Sequence, residues 1–422
     1  MPEETLQRPF ERIERSPSVL LLRPFIDLAP CERGALYATG VEHYWEAFSD
    51  RERPRFYLQR TLPSPFRNQF LAEVGLTEYQ AEDPRDLPVE LRSARWQALC
   101  AALDRWAGLA PDARCRLILL LHALCFYSLI GRLIPEISAA QIAADPDVAE
   151  LAYWRASARY VLARPDRIGD YVDADLSAFE TIATVAGGDW PVTLNAALKV
   201  LVHKAKTGAP REDLAGHCAR AARILEAVVR EAGDFTSAVL TSRYHRAAAF
   251  VPQSSGDRAA VVRIMDIAER HARGAMPAGA AQELQYRENL HPVMESRTKE
   301  ALWLGDLDLA LNRALGVVEI DPCDSKAWLE LGQVRLRRQE LASAAEAYAF
   351  AAVLGPPASA IARHMAGLCF RDLGQPFLAA YFFKAAFEVD PQAISPHEQI
   401  QALPDLPALA VLKEWSLRSF SL

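Results

Sequence analysis

Residues 325–358 read SKAWLELGQVRLRRQELASAAEAYAFAAVLGPPA, and this stretch decides the fold of the chain. Its apolar residues recur mostly at three- and four-residue steps, which is the spacing of a buried helix face. Two further stretches share the pattern, and Pro322, Pro356 and Pro391 stand near the ends of the three copies, which together cover residues 291–393. Self-similarity at a fixed period predicts a stacked repeat architecture.

The pattern resembles the tetratricopeptide repeat, a helix–turn–helix unit of about 34 residues. In the middle copy the large and small positions of that family are held by Trp328, Leu331, Gly332, Ala344, Tyr348, Ala351 and Pro356. In the third copy they are held by Ala366, Gly367, Phe370, Gly374, Ala379, Phe383, Ala386 and Pro391. The first copy departs from the family because Arg297 and Thr298 replace the usual Leu-Gly pair. We therefore expect a longer first helix there, beginning near Ala280.

The resemblance also implies a function. Family members hold an extended or helical peptide on a concave surface that is lined by the first helix of each unit. The positions that would line this surface are Glu295, Lys299, Lys326, Glu330, Gln333, Arg337 and His364. The Lys and Asn set with which some members grip chaperone C-termini does not occur at these positions. Because the predicted groove is mixed in charge, we expect a polar peptide or a protein surface as the partner.

A second polar feature lies just before and within the first copy, in residues 243–246 and 285–299. Its candidate site residues are Arg243, His245, Arg287, His291 and Arg297. If these side chains converge in a cleft, they could perform acid–base chemistry or hold a carboxylate or phosphate. Ion pairing between helices, on a solvated face, explains the same residues without a site. Both interpretations stay open at this stage.

Composition limits the possible functions. The 422 residues are 51% apolar and 24% charged, which is typical of a well-packed globular protein. A formal charge of -7 argues against general nucleic-acid binding, because neutralising phosphates needs a basic surface. The 7 cysteines include no CxxC pair, so we expect reduced cysteines, no zinc site and a cytoplasmic location. No motif for a metal, a nucleotide or another cofactor is found.

Two stretches of the N-terminal part receive specific predictions. Residues 117–130 form the most apolar run, and we expect one buried helix there because a membrane span needs ~20 residues. Residues 49–70 are broken by prolines and rich in arginine and aromatic residues, a composition that can bind nucleic acid. Since Asp50 and Glu52 dilute the charge, we favour an irregular connector with solvated arginines.

The sequence predicts an all-α chain, with a solenoid of helical hairpins at the C-terminus preceded by a larger, irregular helical region. The predicted parts are an extended arm (1–30), a helical N-terminal domain (31–165), a loop or linker (166–191), helical hairpins with divergent repeats as an option (192–290), three repeats (291–393) and a C-terminal capping helix (394–422). The oligomeric state is left open.

Three functions fit this organisation. We favour a non-catalytic scaffold or adaptor that binds a peptide or protein, in a chain whose alanine- and arginine-rich composition is typical of bacteria. The alternative is a peptide-modifying enzyme, or a subunit of one. In that case the repeats recruit a protein substrate, and the polar residues between 243 and 299 bind it or react with it. A third hypothesis is a repeat-type regulator that senses a signalling peptide.

Overall fold

The structure is a computed structural model, and it describes residues 36–53, 55, 82–163, 168, 174–322, 324–355 and 358–420. Within these residues all regular secondary structure is helical, which confirms the predicted all-α class. No helix among them combines the length and the apolar composition that a bilayer span requires. The predicted arm (1–30) and most of the predicted connector (49–70) lie outside the described residues.

The N-terminal body is a cluster of short helices around an aromatic core. Its described helices are α1 (Leu36–Ser49), α2 (Ala94–Asp104), α3 (Pro111–Ala123), α4 (Tyr127–Leu133), α5 (Ala139–Ala144), α6 (Pro146–Leu162) and α7 (Ser177–Val185). Trp45 and Trp96 are fully buried, and their ring centroids lie 6.4 Å apart. Helix α3 is buried along most of its length, because α1 and α6 both pack on it.

The apolar run 117–130 forms two helices, so the prediction of a single buried helix was wrong. Helix α3 ends at Ala123, and α4 begins at Tyr127. Between them Cys125 has a φ of 64°, the left-handed conformation that often ends an α-helix. The amide of Phe126 donates to the carbonyl of Leu121 at 2.9 Å and closes the end of α3. Composition did not predict this break, because a left-handed residue is usually glycine or asparagine.

Helix α7 lies inside the stretch that we predicted to be a loop or linker, residues 166–191. Its residues Phe179, Ile182 and Ala183 follow a helical spacing and are buried. The acidic residues and glycines on either side of α7 dominated the sequence pattern and concealed this short apolar face. The loop prediction was therefore wrong for α7.

Helical hairpins follow the N-terminal body. They consist of α8 (Pro191–Lys206), α9 (Arg211–Arg230), α10 (Asp234–Ala248), α11 (Phe250–Gln253) and α12 (Arg258–Gly274). Local sequence explains where two of them begin. Pro191 is the first residue of α8, a position where its missing N–H costs nothing. The carboxylate of Asp257 accepts a hydrogen bond from the amide of Ala260 and caps α12.

The repeats are α13 (Ala280–Leu304) with α14 (Leu307–Ile320), α15 (Ser325–Arg337) with α16 (Leu341–Leu354), and α17 (Ser359–Asp372) with α18 (Pro376–Val389). The second and third pairs are tetratricopeptide-like. A Cβ built on Gly332 would lie 2.6 Å from the Tyr348 ring, and one on Gly367 would lie 2.5 Å from the Phe383 ring. These glycines let the two helices of each pair approach closely. Helix α13 begins at Ala280, where we expected it to begin, and continues through Pro292 for 25 residues.

Helices α19 (Ile394–Gln401) and α20 (Pro407–Phe420) complete the C-terminal end. The ring of Trp415 on α20 packs edge-on against Phe387 of the last repeat, with 5.6 Å between the ring centroids. Lys384 lies over the other side of the same indole, 5.1 Å from its centroid. The last repeat therefore does not expose this part of its apolar face.

From α8 onward the helices form two rows. The inner row consists of α8, α10, α13, α15 and α17, and the outer row of α9, α12, α14, α16 and α18. Helix α8 packs on α10, α10 on α13 and α13 on α15, in addition to the contacts inside each hairpin. Successive outer helices pack mainly on the inner row. From α8 to α15 the inner-row helices contact one another directly, which places this row on the concave side of the solenoid.

The N-terminal body folds back onto this solenoid. Helix α1 packs on α3 and also on α13 of the first repeat. The backbone amide of Ile168 donates to the carboxylate of Asp390, at the end of α18, at 2.9 Å. The body therefore contacts the first repeat and the last one, although both are distant in sequence.

Candidate functional site

Charged side chains form a continuous group on three neighbouring helices of the inner row. We call this group the groove cluster. It consists of Arg243 and Arg246 on α10, Glu288, His291, Glu295 and Lys299 on α13, and Asp324, Lys326 and Glu330 at the start of and along α15. Helical spacing explains the grouping, because residues three or four apart share one face of a helix.

The most enclosed part of the groove cluster is an ion pair between α10 and α13. Arg243 Nη2 donates to Glu288 Oε2 at 2.9 Å, and the two side chains are only 5% and 2% exposed. The two charges compensate each other, which is the condition under which a buried ion pair is tolerated, although Arg243 Nε has no acceptor among the described residues. This pair holds α10 against α13.

Lys299 joins two carboxylates in the middle of the groove cluster. Its Nζ lies 2.5 Å from Glu295 Oε1 and 2.6 Å from Glu330 Oε1, and it thereby bridges α13 to α15. The Lys299 side chain is 56% exposed while that of Glu330 is 10% exposed, so this part of the cluster opens to solvent on one side.

The two carboxyl groups that contact Lys299, those of Glu295 and Glu330, have pKa values that are shifted in opposite directions. Burial raises the pKa of Glu330 well above its ordinary value, and the charge of Glu295 adds to the effect while Lys299 opposes it. Burial also disfavours the charged form of Glu295, but Lys299, Lys326 and His291 outweigh burial and hold the pKa of Glu295 well below its usual range. Glu295 therefore carries the negative charge, and Glu330 keeps its proton to a higher pH.

Asp324 fixes the start of α15 relative to α13. Its carboxylate caps α15 by accepting a hydrogen bond from the amide of Lys326 at 3.2 Å. The other carboxylate oxygen lies 3.3 Å from His291 Nε2. His291 is buried, so this contact places an imidazole and a carboxylate side by side beneath the groove.

The remaining predicted groove residues lie further along the inner row. Gln333 and Arg337 are exposed on α15. His364 on α17 is buried, and its Nε2 lies 3.0 Å from the hydroxyl of Ser395 at the start of α19. Burial lowers the pKa of His364, and Arg371 contributes. The open surface therefore extends along α15, while α19 encloses the His364 side chain.

The five predicted polar-cluster residues do not all come together. Arg243 and His291 belong to the groove cluster. Arg287 donates to the carbonyl of Ile320 at 2.7 Å and so contacts the last residue of α14. His245 stacks on His271 of α12, with 6.2 Å between the ring centroids.

Arg297 faces the outer row instead of the groove. Its guanidinium lies 2.8 Å from Asp266 and 3.1 Å from Glu269 on α12, and 2.7 Å from Glu300 on its own helix. Arg313 of α14 donates to the Arg297 carbonyl at 2.8 Å. Arg297 therefore holds α12, α13 and α14 together.

Three groove-cluster members, Arg246, Glu288 and Asp324, were not among the candidate site residues chosen from the sequence. For Arg246 and Glu288, the signal that could have found them is their spacing. Arg246 follows Arg243 by three residues, and Glu288 precedes His291 by three, so each lies on the same helix face as a residue that was chosen. Which of these faces meet is a tertiary fact that helix period does not predict.

A group of possible metal ligands lies in the N-terminal body. Cys115 Sγ and carboxylate oxygens of Asp147 and Glu150 lie within 4.8 Å of one another. Arg55 sits against them, with its guanidinium 2.5 Å from Asp147 and 3.6 Å from Glu150. Burial raises the pKa of the Cys115 thiol, so it is not a thiolate at neutral pH. We assign the group to ion pairing, and the prediction that connector arginines stay solvated was therefore wrong for Arg55, while Arg51 and Arg53 are exposed.

A cavity of about 430 Å³ lies away from the inner surface, where α7 and the start of α8 meet α9. Its polar lining residues are Thr184, Thr193, Arg220 and Arg223. Arg220 donates to the Thr184 hydroxyl at 3.0 Å, so one of the two arginines is already engaged.

No protein-family model and no curated protein matches the chain. Solved structures are similar in fold. YrrB, a TPR protein with an unusual peptide-binding site, is 15% identical over 53% of this chain and 98% of its own, with a TM-score of 0.33. The human IFIT1 dimer with m7Gppp-AAAA is 12% identical over 100% of this chain and 94% of its own, with a TM-score of 0.47. MamA is 19% identical over 39% of this chain and 90% of its own, with a TM-score of 0.29. At these values the similarity does not extend to individual residues or to ligands.

Proposed function

We propose that this protein is a non-catalytic scaffold that binds a polar peptide or protein segment along the inner row of helices. The observation that carries the proposal is the groove cluster, a continuous polar surface on α10, α13 and α15. Buried ion pairs contribute little net stability compared with well-packed apolar residues. Stability alone therefore does not explain why the concave side is polar across three successive helices.

The chemistry of the surface suggests the kind of partner. Cations and carboxylates alternate along it, and Lys299 and Arg337 remain accessible to solvent. A segment that presents backbone groups and charged side chains can hydrogen-bond to such a surface, whereas an apolar helix would desolvate these charges without compensation. The partner segment is therefore polar.

The test is selection of peptides from a random display library on the full-length protein. The selected peptides should bind the double variant Lys326→Ala/Arg337→Glu at least ~10-fold more weakly, since each lost charged contact contributes about 1.5–3 kcal/mol. The control is Arg263→Glu/Arg270→Ala, which makes the same charge change on α12 of the outer row. If the selected peptides bind the groove variant as tightly as the wild type, the inner row is not the binding surface.

A second candidate function is the peptide-modifying enzyme, and the contact between His291 and Asp324 favours it. An imidazole oriented by a carboxylate is the usual arrangement of a general base. His291→Gln keeps hydrogen-bonding capacity and removes the base. If this variant modifies selected peptides as the wild type does, as judged by mass spectrometry, or if the wild type leaves every selected peptide unmodified, the enzyme hypothesis fails.

A further inference from the structure

We propose that Arg246 anchors the partner by binding an oxyanion, a carboxylate or phosphate group carried by the peptide that occupies the inner row. The inference rests on the proposed function and adds the chemical class of the group that is recognised. Arg246 lies on α10, beside the Arg243–Glu288 pair and facing the carboxylate of Glu295.

The first observation is that Arg246 has no partner of its own. Among the residues that the structure describes, it makes no hydrogen bond or ion pair, and its Nε is enclosed without an acceptor. The residue as a whole is half-buried, and its Nε lies in the enclosed part.

The second observation is that the nearby carboxylates are already engaged. Glu288 accepts from Arg243 at 2.9 Å, and Glu295 accepts from Lys299 at 2.5 Å. Arg246 interacts with both carboxylates only through longer-range attraction. Within the described residues, Arg243 and Lys299 each contact at least one carboxylate, and Arg246 contacts none.

The electrostatic balance at Arg246 agrees with this geometry. Burial lowers the pKa of Arg246, the charges of Glu295 and Glu288 offset part of that effect, and the positive charge of Arg243 adds to it. An unpaired charge in such a place is destabilised relative to a paired one. A ligand that supplies the missing anion recovers this free energy on binding.

The geometry of the guanidinium selects the ligand chemistry. Its planar set of N–H donors matches two oxygens of a carboxylate or a phosphate and forms charge-assisted hydrogen bonds with them. The groove cluster therefore favours an anionic group over a cationic one at this point.

The test uses the full-length protein and three fluorescent peptides that alternate glycine with one other residue, either Glu, Gln or phosphoserine. Anisotropy titrations at low ionic strength give the affinities. The wild type should bind the Glu or the phosphoserine peptide at least ~10-fold more tightly than the Gln peptide, as a charge-assisted contact predicts. Arg246→Gln should abolish the difference. Arg263→Gln, the same change on an exposed outer-row position of α12, should keep it.

The comparison between peptides identifies the source of the oxyanion. A preference for Glu assigns a carboxylate ligand, and a preference for phosphoserine assigns a phosphorylated one. If the wild type binds neither anionic peptide more tightly than the Gln peptide, or if Arg263→Gln removes the preference as fully as Arg246→Gln does, the proposal is overturned. The display experiment still decides the scaffold function in that case, because it does not require an acidic peptide.

A second measurement separates recognition from a structural role. Because Arg246 has no partner among the described residues, Arg246→Gln should raise the melting temperature or leave it unchanged, whereas loss of a structural contact lowers it. A lower melting temperature together with unchanged peptide affinities would contradict the proposal.

Discussion

Helices α13 and α15 hold equivalent places in consecutive repeats. Helix α15 contacts its outer-row neighbour through apolar and small residues, whereas α13 contacts its outer-row neighbours through charged and polar residues. On α15 the position is Leu331-Gly332, where the glycine admits the Tyr348 ring. On α13 it is Arg297-Thr298, where the arginine lies among three carboxylates. Thr298 is fully buried and donates its hydroxyl to the Met294 carbonyl at 3.0 Å.

The comparison shows that an inner-row helix can be held against its neighbours in two ways. We call contact through apolar and small residues the apolar solution, and contact through buried ion pairs the polar solution. The apolar solution depends on shape, because a small residue must face a large ring. The polar solution is stable only when all of its buried charges are paired, since each buried charge needs a partner. The second and third repeats use the first solution, and the first repeat, where the solenoid meets the preceding hairpin, uses the second.

Breaking the polar solution should have the largest effect. Arg297→Leu makes α13 resemble α15, but it removes the ion-pair partner of the buried Glu300 carboxyl and leaves Glu269 with Arg273 alone. We expect a loss of about 3–5 kcal/mol in the free energy of unfolding, measured by urea denaturation.

The control for this variant restores the charge balance. Arg297→Leu/Glu300→Leu replaces the buried pair by two apolar side chains, which is often close to neutral. The double variant should therefore recover most of the stability. If it is as unstable as the single variant, the missing partner is not the cause of the loss.

Breaking the apolar solution should have an intermediate effect. Gly332→Ala places a methyl group 2.6 Å from the Tyr348 ring, and overpacking of this kind costs about 1–3 kcal/mol. Gly316→Ala on α14 is the matched control, because a Cβ there meets no atom within 4 Å. In a helix interior that change should stabilise by roughly 0.5–1 kcal/mol. Two shifts of the same sign in the melting temperature would contradict the packing argument.

The smallest effect concerns the groove side, where Lys299 of α13 meets Glu330 of α15. Burial raises the pKa of Glu330, so the folded protein keeps a proton that the unfolded chain releases above its ordinary value of 4.5. Stability attributable to Glu330 is therefore present at acidic pH and is lost as pH rises through the folded pKa.

Glu330→Gln mimics the protonated side chain and tests the direction in which stability changes with pH. The melting temperature of the variant relative to the wild type should increase as pH rises from 4.5 to neutrality. Unfolding curves at several pH values give the difference. A relative melting temperature that stays flat, or that falls with rising pH, would show that Glu330 does not hold the proton.

Much of this architecture follows from residue spacing. The copies between 291 and 393 predict the helix pairs, and the poor fit of Arg297 and Thr298 predicts the long α13. Single residues escaped prediction where long-range packing overrides local preference. Cys125 adopts a left-handed conformation between α3 and α4, and Arg55 leaves a proline-rich connector to join carboxylates of α3 and α6.

The candidate site was predictable only in part. Glu295, Lys299 and Glu330 follow from their positions on the first helices of the repeats, and the structure joins them through one ammonium group. Arg287, His245 and Arg297 were equally polar in sequence, yet each side chain contacts different residues outside the groove cluster. Helix period assigns a residue to a face, but it does not say which helix will cover that face.

The sequence by itself determined that this chain is all-α and that its C-terminal part is a stack of helix pairs, because the three- and four-residue period and the small–large spacing are local properties. The tertiary structure alone decided which charges meet. It pairs Arg243 with Glu288 and brings Lys299 to two carboxylates, while Arg246 has no partner among the residues that the structure describes. The reason is physical. Pairing depends on the distance between side chains of different helices, and that distance is set by how the whole solenoid packs.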